Sequence, residues 1–479
     1  MGMSDQMQPL ESRRLFAGLA IGIGSTGVDF STGITTDAAG NFYVTGTFQG
    51  KVDFKPGTGS VFLTAKGQGS AFVAKYTSKG ALVWAKMLGS ELDATNRSPF
   101  GVAGRIAVDK SGNVYTTGIF NKTEDFAPSP GTGGDIYITK LDTNGNIVWN
   151  LGIGSSGLDG GTGIAVDGSN NVLVTGTYSG TVDFAPGKST TVKLTSQGQE
   201  DAFLAKYTNT GKLVWVRGLG GAQADAGIGV AVDSLNEPFV VGVIESNNAN
   251  VYDGVHAPTV QIQQNGVAGA FIVKASPTGN LLRARSLTGL GFAAAAGIGV
   301  AIDPSDNVFV AGAFAGTVDF DPGAGTSAFT SAGGSDGFIA KFSGGKVGLY
   351  YAKRFGGSKD DAAGDVKVAT DGSAYVTGFY HGNAVSISGG VATNLASKGR
   401  ADQFLARFRN DGKYLGARSF GNTMDDWGTA VAIDPKNGYV YDGGFIDGTV
   451  QVTNFFNLIA LNGNGNISIY RTNLTLTPV

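Results

Sequence analysis

One fourteen-residue segment returns seven times along this chain, and that periodicity constrains the fold more than anything else in the sequence. GITTDAAGNFYVTG at Gly33 to Gly46 recurs as RIAVDKSGNVYTTG from Arg105, GIAVDGSNNVLVTG from Gly163 and GVAVDSLNEPFVVG from Gly229. It returns again as GVAIDPSDNVFVAG from Gly299, DVKVATDGSAYVTG from Asp365 and AVAIDPKNGYVYDG from Ala430. The closing glycines run from 46 to 443 at a mean spacing of about 66 residues, so seven units fill the chain. Self-similarity at a fixed period is the signature of a repeat architecture.

Each unit reads as four strands. Two short runs rich in Val, Ile and Tyr flank DAAGN, DKSGN, DGSNN or DPSDN, residues that supply the positive φ and local hydrogen bonds of a tight hairpin. A second hairpin follows, as in AFVAKYTSKGALVW (Ala71 to Trp84), IYITKLDTNGNIVW (Ile136 to Trp149) and AFLAKYTNTGKLVW (Ala202 to Trp215). Glycine makes up 78 of 479 residues, more than twice the usual share of about 7%, which argues against a mainly helical chain. No stretch sustains a 3.6-residue period. The expected fold is all-β: a seven-bladed β-propeller of four-stranded antiparallel blades, whose radial closure protects its sheet edges.

A G-x-A-V-D strand, a Gly-Asn turn, V-T-G, V-D-F-x-P-G, a D-A-F-x-A-K strand and a G-x-L-V-W strand recur in one order. This pattern, over roughly residues 19 to 471, resembles the SBBP repeat of bacterial surface and secreted proteins. The resemblance implies a scaffold exported to the outside or surface of a bacterium, although a cytoplasmic location fits the same fold. The segment PLESRRLFAG resembles an L-E-x-R-x-L export tag and, through Arg13 and Arg14, a twin-arginine signal. Residues 1–14 therefore read as a tag or tail, and 15–479 as one propeller domain. LAIGIGSTGVDFSTGITTD (Leu19 to Asp37) also aligns without gaps to WNLGIGSSGLDGGTGIAVD (Trp149 to Asp167), so this apolar run reads as an outer strand of the last unit. GNISIYR, ending at Arg471, competes for that place.

Composition narrows the chemistry. Net charge is −3 with both signs interspersed, leaving no basic stripe for nucleic acid and no polybasic segment for lipids. No apolar run reaches the roughly 18 residues of a membrane span. There is no cysteine and only two histidines, which removes thiolate zinc sites and cysteine nucleophiles. The chain reads as a monomer.

Strand parity puts the 1–2 and 3–4 turns on one face and the long connections on the other, where function usually sits. Measured from the closing glycine, the 2–3 connection is 25 positions in unit 1, 18 in unit 2, 28 in unit 4 and 14 in unit 7, the last counted from 443 to 457. Aspartate stands eight positions before the Asp37 position in five units: Asp29, Asp159, Asp225, Asp361 and Asp426. Units 2 and 5 have Gly101 and Ala295. Such carboxylates could circle the channel mouth and hold calcium, a cation that prefers oxygen ligands. They could equally accept hydrogen bonds from their own inter-unit turns, and a residue repeated in most units ordinarily serves the unit.

The D-F-x-P-G loops supply Asp53, Asp125, Asp183 and Asp319, joined in unit 5 by Asp321. Phe54, Phe126, Phe184 and Phe320 read as plugs between neighbouring units. The third-strand residues Lys75, Lys140, Lys206, Lys274, Lys341 and Arg407 are expected to lay their stems on apolar surface with the charge in water, and unit 7 has Ala460 there. Trp84, Trp149 and Trp215 repeat at one position and read as packing. Trp427 sits in an inter-unit link beside Asp425 and Asp426, a plausible sugar-stacking surface. Tyr252, Asp253 and His256 lie in the deviant unit-4 loop, and Tyr380 and His381 in unit 6. With Trp427 they are the candidate ligand-binding residues.

No Ser/His/Asp order or metal-binding histidine spacing supports catalysis. The expected function is non-enzymatic binding of a glycan or protein through the long-loop face. Two alternatives stand beside it: a polysaccharide lyase or glycosidase using carboxylates and tyrosines at the channel mouth, which needs two carboxyl groups about 5 to 10 Å apart, and an architectural surface-layer module.

Overall fold

The computed structural model describes residues 19–55, 59–67, 69–88, 103–120, 134–187, 191–253, 261–263, 266–382, 385–387, 391–393, 395, 397–447 and 465–473. The proposed tag, Gly101, Asp125, Phe126, His256 and Ala460 lie outside them. No helix among the described residues is long and apolar enough to cross a membrane.

The opening hairpin of most units is built by one aspartate. Asp37 Oδ1 accepts from the N–H groups of Ala39 and Asn41, both at 2.9 Å, and Oδ2 accepts from Asn41 Nδ2 and the Tyr43 hydroxyl. Asp109, Asp167 and Asp303 repeat the backbone and asparagine bonds. The turn needs a left-handed residue, supplied by Gly40 (φ 86°) and Gly112 (φ 81°) or by Asn170 (φ 63°) and Asp306 (φ 61°), the residue types that tolerate that region.

Four antiparallel strands follow in each unit. Unit 1 comprises Phe30–Thr36, Phe42–Phe48, Ser70–Tyr76 and Leu82–Leu88, and unit 2 Ala103–Val108, Val114–Phe120, Asp135–Leu141 and Ile147–Ile153. Unit 3 comprises Gly160–Val166, Val172–Tyr178, Asp201–Tyr207 and Leu213–Gly220. Unit 4 has Asp225–Val232, Pro238–Ile244 and Gly269–Ala275, and its fourth strand runs on as Leu281–Ile302 to become the first of unit 5. Val308–Asp319, Ala328–Phe342 and Leu349–Gly356 complete that unit. Unit 6 is Ala362–Val368, Ala374–His381, Ala401–Phe408 and Tyr414–Phe420. The architecture is all-β and propeller-like.

Unit 7 takes strands from both ends of the chain. Its order is Asp426–Asp434, Tyr439–Ile446, Asn466–Asn473, then Leu19–Ile23, with Leu19 opposite Arg471 and Ile23 opposite Ile467. The two termini therefore do not compete for one place: the C-terminal segment is the third strand and the N-terminal segment the fourth. This corrects three expectations. The third strand starts at 466, so the 2–3 connection is long rather than the shortest. Arg471, opposite Tyr441, holds the position Lys75 holds opposite Tyr43, so unit 7 keeps its basic residue. And the hairpin turn is one residue longer, so Gly444, opposite Gly428, stands where Gly46 stands opposite Ser31. In sequence the apolar run at 457–461 reads like a third strand, which is why the sequence frame slipped.

Every inner strand carries a bulge at the same level, between Ser31 and Gly33 in unit 1 and between Gly428 and Ala430 in unit 7. There the strands crowd the axis. A Cβ on Gly163 would lie 2.8 Å from the Ile228 carbonyl oxygen, and one on Gly299 2.8 Å from the Asp365 Cα, which accounts for part of the glycine excess. Among the described residues seven apolar clusters lie between neighbouring units, from Ile23 with Phe42 at units 7 and 1 to Leu405 with Val431 at units 6 and 7. Phe54, Phe184 and Phe320 are fully buried in them, each packed on aromatics of its own unit, as Phe184 is on Tyr178 (5.6 Å) and Phe203 (5.1 Å).

The third-strand cations are not in water. Lys206 pairs with Asp167 at 2.9 Å and donates to the Pro277 carbonyl in the next unit, while Lys274 pairs with Asp233 at 3.0 Å and reaches the Gly344 carbonyl. Lys140 donates to Asn209 O, and Lys341 pairs with Asp303 at 2.8 Å. The tryptophans fasten the same turns: Nε1 of Trp84, Trp149 and Trp215 donates to Thr143, Asn209 and Pro277. Lys206 and Lys274 each join the hairpin aspartate of their own unit to the turn of the next, so burial is compensated by a charged partner and a carbonyl.

Candidate functional site

Strand alternation sorts the candidate residues. Trp427 stands opposite Phe445, and Ala362 opposite Phe379, at the end of the inner strands where the long connections emerge. The same rung is Gly160 with Thr177 in unit 3, Ala226 with Val243 in unit 4 and Ala296 with Ala313 in unit 5. Units 6 and 7 thus present a run of rings where units 3 to 5 have small side chains. Trp427 lies 5.9 Å from Phe379 and 5.6 Å from Phe445, and the His381 imidazole meets Phe379 edge-on at 5.7 Å. Trp427 is 42% exposed. Its flank carries an exposed ion pair, Arg400 with Asp425, at 3.6 Å, and His381 Nδ1 bonds the Asp360 carbonyl.

The structure brings Trp427 and His381 into one surface through Phe379 and leaves the other described candidates elsewhere. Tyr380, next to His381, alternates inward; it is buried and its hydroxyl bonds Ser419 at 2.6 Å. Tyr252 is buried on a strand, Asn248–Tyr252, that adds to the outer strand of unit 3, and its hydroxyl bonds Asp201 and Tyr178. It braces two units instead of facing solvent. Asp253 follows that strand and is half-buried. Phe379 and Phe445 were missed although each follows a closing glycine; the slipped frame in unit 7 hid the equivalence.

The five repeated aspartates are all buried and serve their turns. Asp159 Oδ2 accepts from Ser155 N at 2.6 Å and Oδ1 from Ser179 N at 2.8 Å; Asp361 accepts from Gly357 and His381, and Asp426 from Asn422 and Asp447. Asp29 and Asp225 do the same. Burial pushes the Asp159 and Asp361 carboxyls up to about 6 and that of Asp426 to about 7. The arrangement does not fit a calcium ring: among the described residues no group of three or more His, Cys, Asp or Glu is placed to hold a metal ion.

At the axis the repeated Gly33 position is occupied by charge in two units, Arg105 and Asp365. They meet across the channel at 3.1 Å, and Arg105 also donates to the carbonyls of Gly364 (2.9 Å) and Thr429 (3.2 Å).

No family model matches the chain. An alignment of 377 residues that covers 66% of this chain is 25% identical to an uncharacterised WD repeat-containing protein of Acanthamoeba polyphaga mimivirus, of which it covers 27%. The chain thus spans about a quarter of that relative. Among solved structures it is similar to the WD40 repeats of RRP9 (TM-score 0.47, 8% identity, 94% of this chain and 96% of that one). It is also similar to a quinohemoprotein alcohol dehydrogenase from Comamonas testosteroni (TM-score 0.44, 11% identity, 94% and 76%). The chain's own strand order, repeated unit by unit, defines an all-β, propeller-like repeat protein.

Proposed function

We propose that this chain is a closed seven-bladed propeller acting as a non-enzymatic binding scaffold, with the Phe379–Trp427–Phe445 surface as the seat of a protein ligand. Closure is supported by inner strands that touch in cyclic order, unit 7 against unit 1 included. The binding role is carried by one observation: an exposed indole in an aromatic run flanked by the Arg400–Asp425 pair, an apolar centre with a charged rim, where tryptophan and arginine are the residues that most often anchor a partner. The repeated motifs support an SBBP-type protein and the Arg13–Arg14 segment supports export to a bacterial surface. The repeated carboxylates are engaged by backbone amides, which leaves the enzyme reading without a favoured pair.

The test is peptide display selected on the full chain and counter-selected on Trp427→Ala, with a glycan array run in parallel. Peptides enriched on the parent and lost on the variant, at unchanged Tm, are expected. Glycan binding with the same dependence would replace the protein ligand by a sugar, and binding indifferent to Trp427 would overturn the site.

A further inference from the structure

Below the Arg105–Asp365 bridge the channel opens into a cavity of about 330 Å³ that runs toward the short-turn end, at the lower end of the range of small-molecule sites. Its wall is the ends of the inner strands: Thr35, Ala107, Ala165, Ala231 and Ala301 in one ring, with valines and isoleucines beside them. In unit 6 that alanine is replaced by Lys367, whose Nζ lies 3.2 Å from both Asp365 oxygens. The floor is Arg105. Two fixed cations therefore share one carboxylate in a cavity whose remaining lining is uncharged. Asp442 also faces Asp365, but burial pushes its carboxyl up to about 8, so it is mostly neutral at pH 7. The two charged residues at the Gly33 position and the lysine two residues on break the repeat at adjacent levels of the axis, where the other units have Gly or Ala at the first and Thr35 or Ala at the second.

We propose that this cavity binds a small monocarboxylate with a short branched apolar body, its anionic end held by Lys367 and Arg105 and its hydrocarbon against the alanine and valine wall. An excess of one positive charge selects a monoanion over a neutral or dianionic ligand, and the apolar wall selects an organic anion over a hydrated inorganic one.

Isobutyrate, isobutyramide and chloride are titrated calorimetrically into the full chain and into Lys367→Ala and Lys367→Arg, with Tm measured for each. Isobutyrate is expected to bind in the millimolar range, at least about tenfold tighter than isobutyramide, with binding lost in Lys367→Ala and kept in Lys367→Arg at similar Tm. Equal binding of acid and amide, binding of chloride alone, or undiminished binding to Lys367→Ala would each overturn the proposal, as would no heat at about 50 mM isobutyrate. None of these outcomes bears on the Trp427 surface, which lies at the other mouth.

Discussion

Units 3 and 7 share one ladder and are packed by different chemistry. In unit 3 the Phe203 ring rests on the closing Gly176, and Val174 and Ala205 face each other beneath it. In unit 7 the matching positions are Ser468 on Gly444 and Asp442 opposite Tyr470. Room left by the missing phenylalanine is filled from unit 6: Gln403 reaches over Gly444 and accepts a bond from Ser468 at 3.3 Å, Thr377 donates to Asp442 at 2.6 Å, and Tyr470 stacks on Phe420 at 4.3 Å. The fully buried Asp442 carboxyl is faced by Thr377 and Gln403 and by no cation, so burial raises its pKa. Repetition supplies one stable packing solution, and the unit assembled from both chain ends, which also carries Trp427, is the one that departs from it.

Transplanting the difference should break the regular seam. Phe203→Ser, the unit-7 residue placed in unit 3, is expected to cost about 3–5 kcal/mol in urea unfolding; a loss below about 1 kcal/mol would mean that the ring on the glycine is dispensable. Lys206→Met should cost about 3 kcal/mol, because it strands Asp167 under the neighbouring turn, and retention of parental stability would remove the fastening role. The reverse transplant, Asp442→Val, should stabilise by about 1–2 kcal/mol at pH 8 and by less at pH 5. The sign follows from proton linkage: carboxyls whose folded pKa is raised, about 6 for Asp159, Asp201 and Asp361 and about 8 for Asp442, contribute stability present below about pH 4 and lost as pH climbs through those values. Parental Tm should therefore fall between pH 5 and pH 8, and Asp442→Val should flatten the upper part of that fall; a Tm that rises over this range would contradict the buried-acid assignment. Trp427→Ala, at the exposed rung, should change stability by no more than about 0.5 kcal/mol.

The fold was legible because its signals are local. An Asp that closes a hairpin on its own backbone, and a Gly, Asn or Asp in the left-handed turn position, recur in most of the repeats. The fate of Lys206 was not, since a basic residue on an alternating strand reads as solvent-facing until the next unit's Pro277 carbonyl is placed beside it. The aromatic surface was half legible: Trp427 stood out as an unrepeated indole, but Phe379 and Phe445 become its neighbours only through register across two units. Arg105 and Asp365 lay in full view within the repeated motif, and only the ring geometry makes positions 260 residues apart into a pair.

The fastening of each unit to the turn of the next continues past the chain ends, for Arg471 and Tyr441 of unit 7 both reach the Ser78 carbonyl of unit 1. The seam between units 7 and 1 thus uses the same kind of contact as the seams between consecutive units. A circular permutant that links the strands ending near Leu19 and Arg471, cross-ladder partners, and opens instead at the Thr208–Gly211 turn should keep the seam between units 7 and 1 and unfold at a Tm close to the parent's.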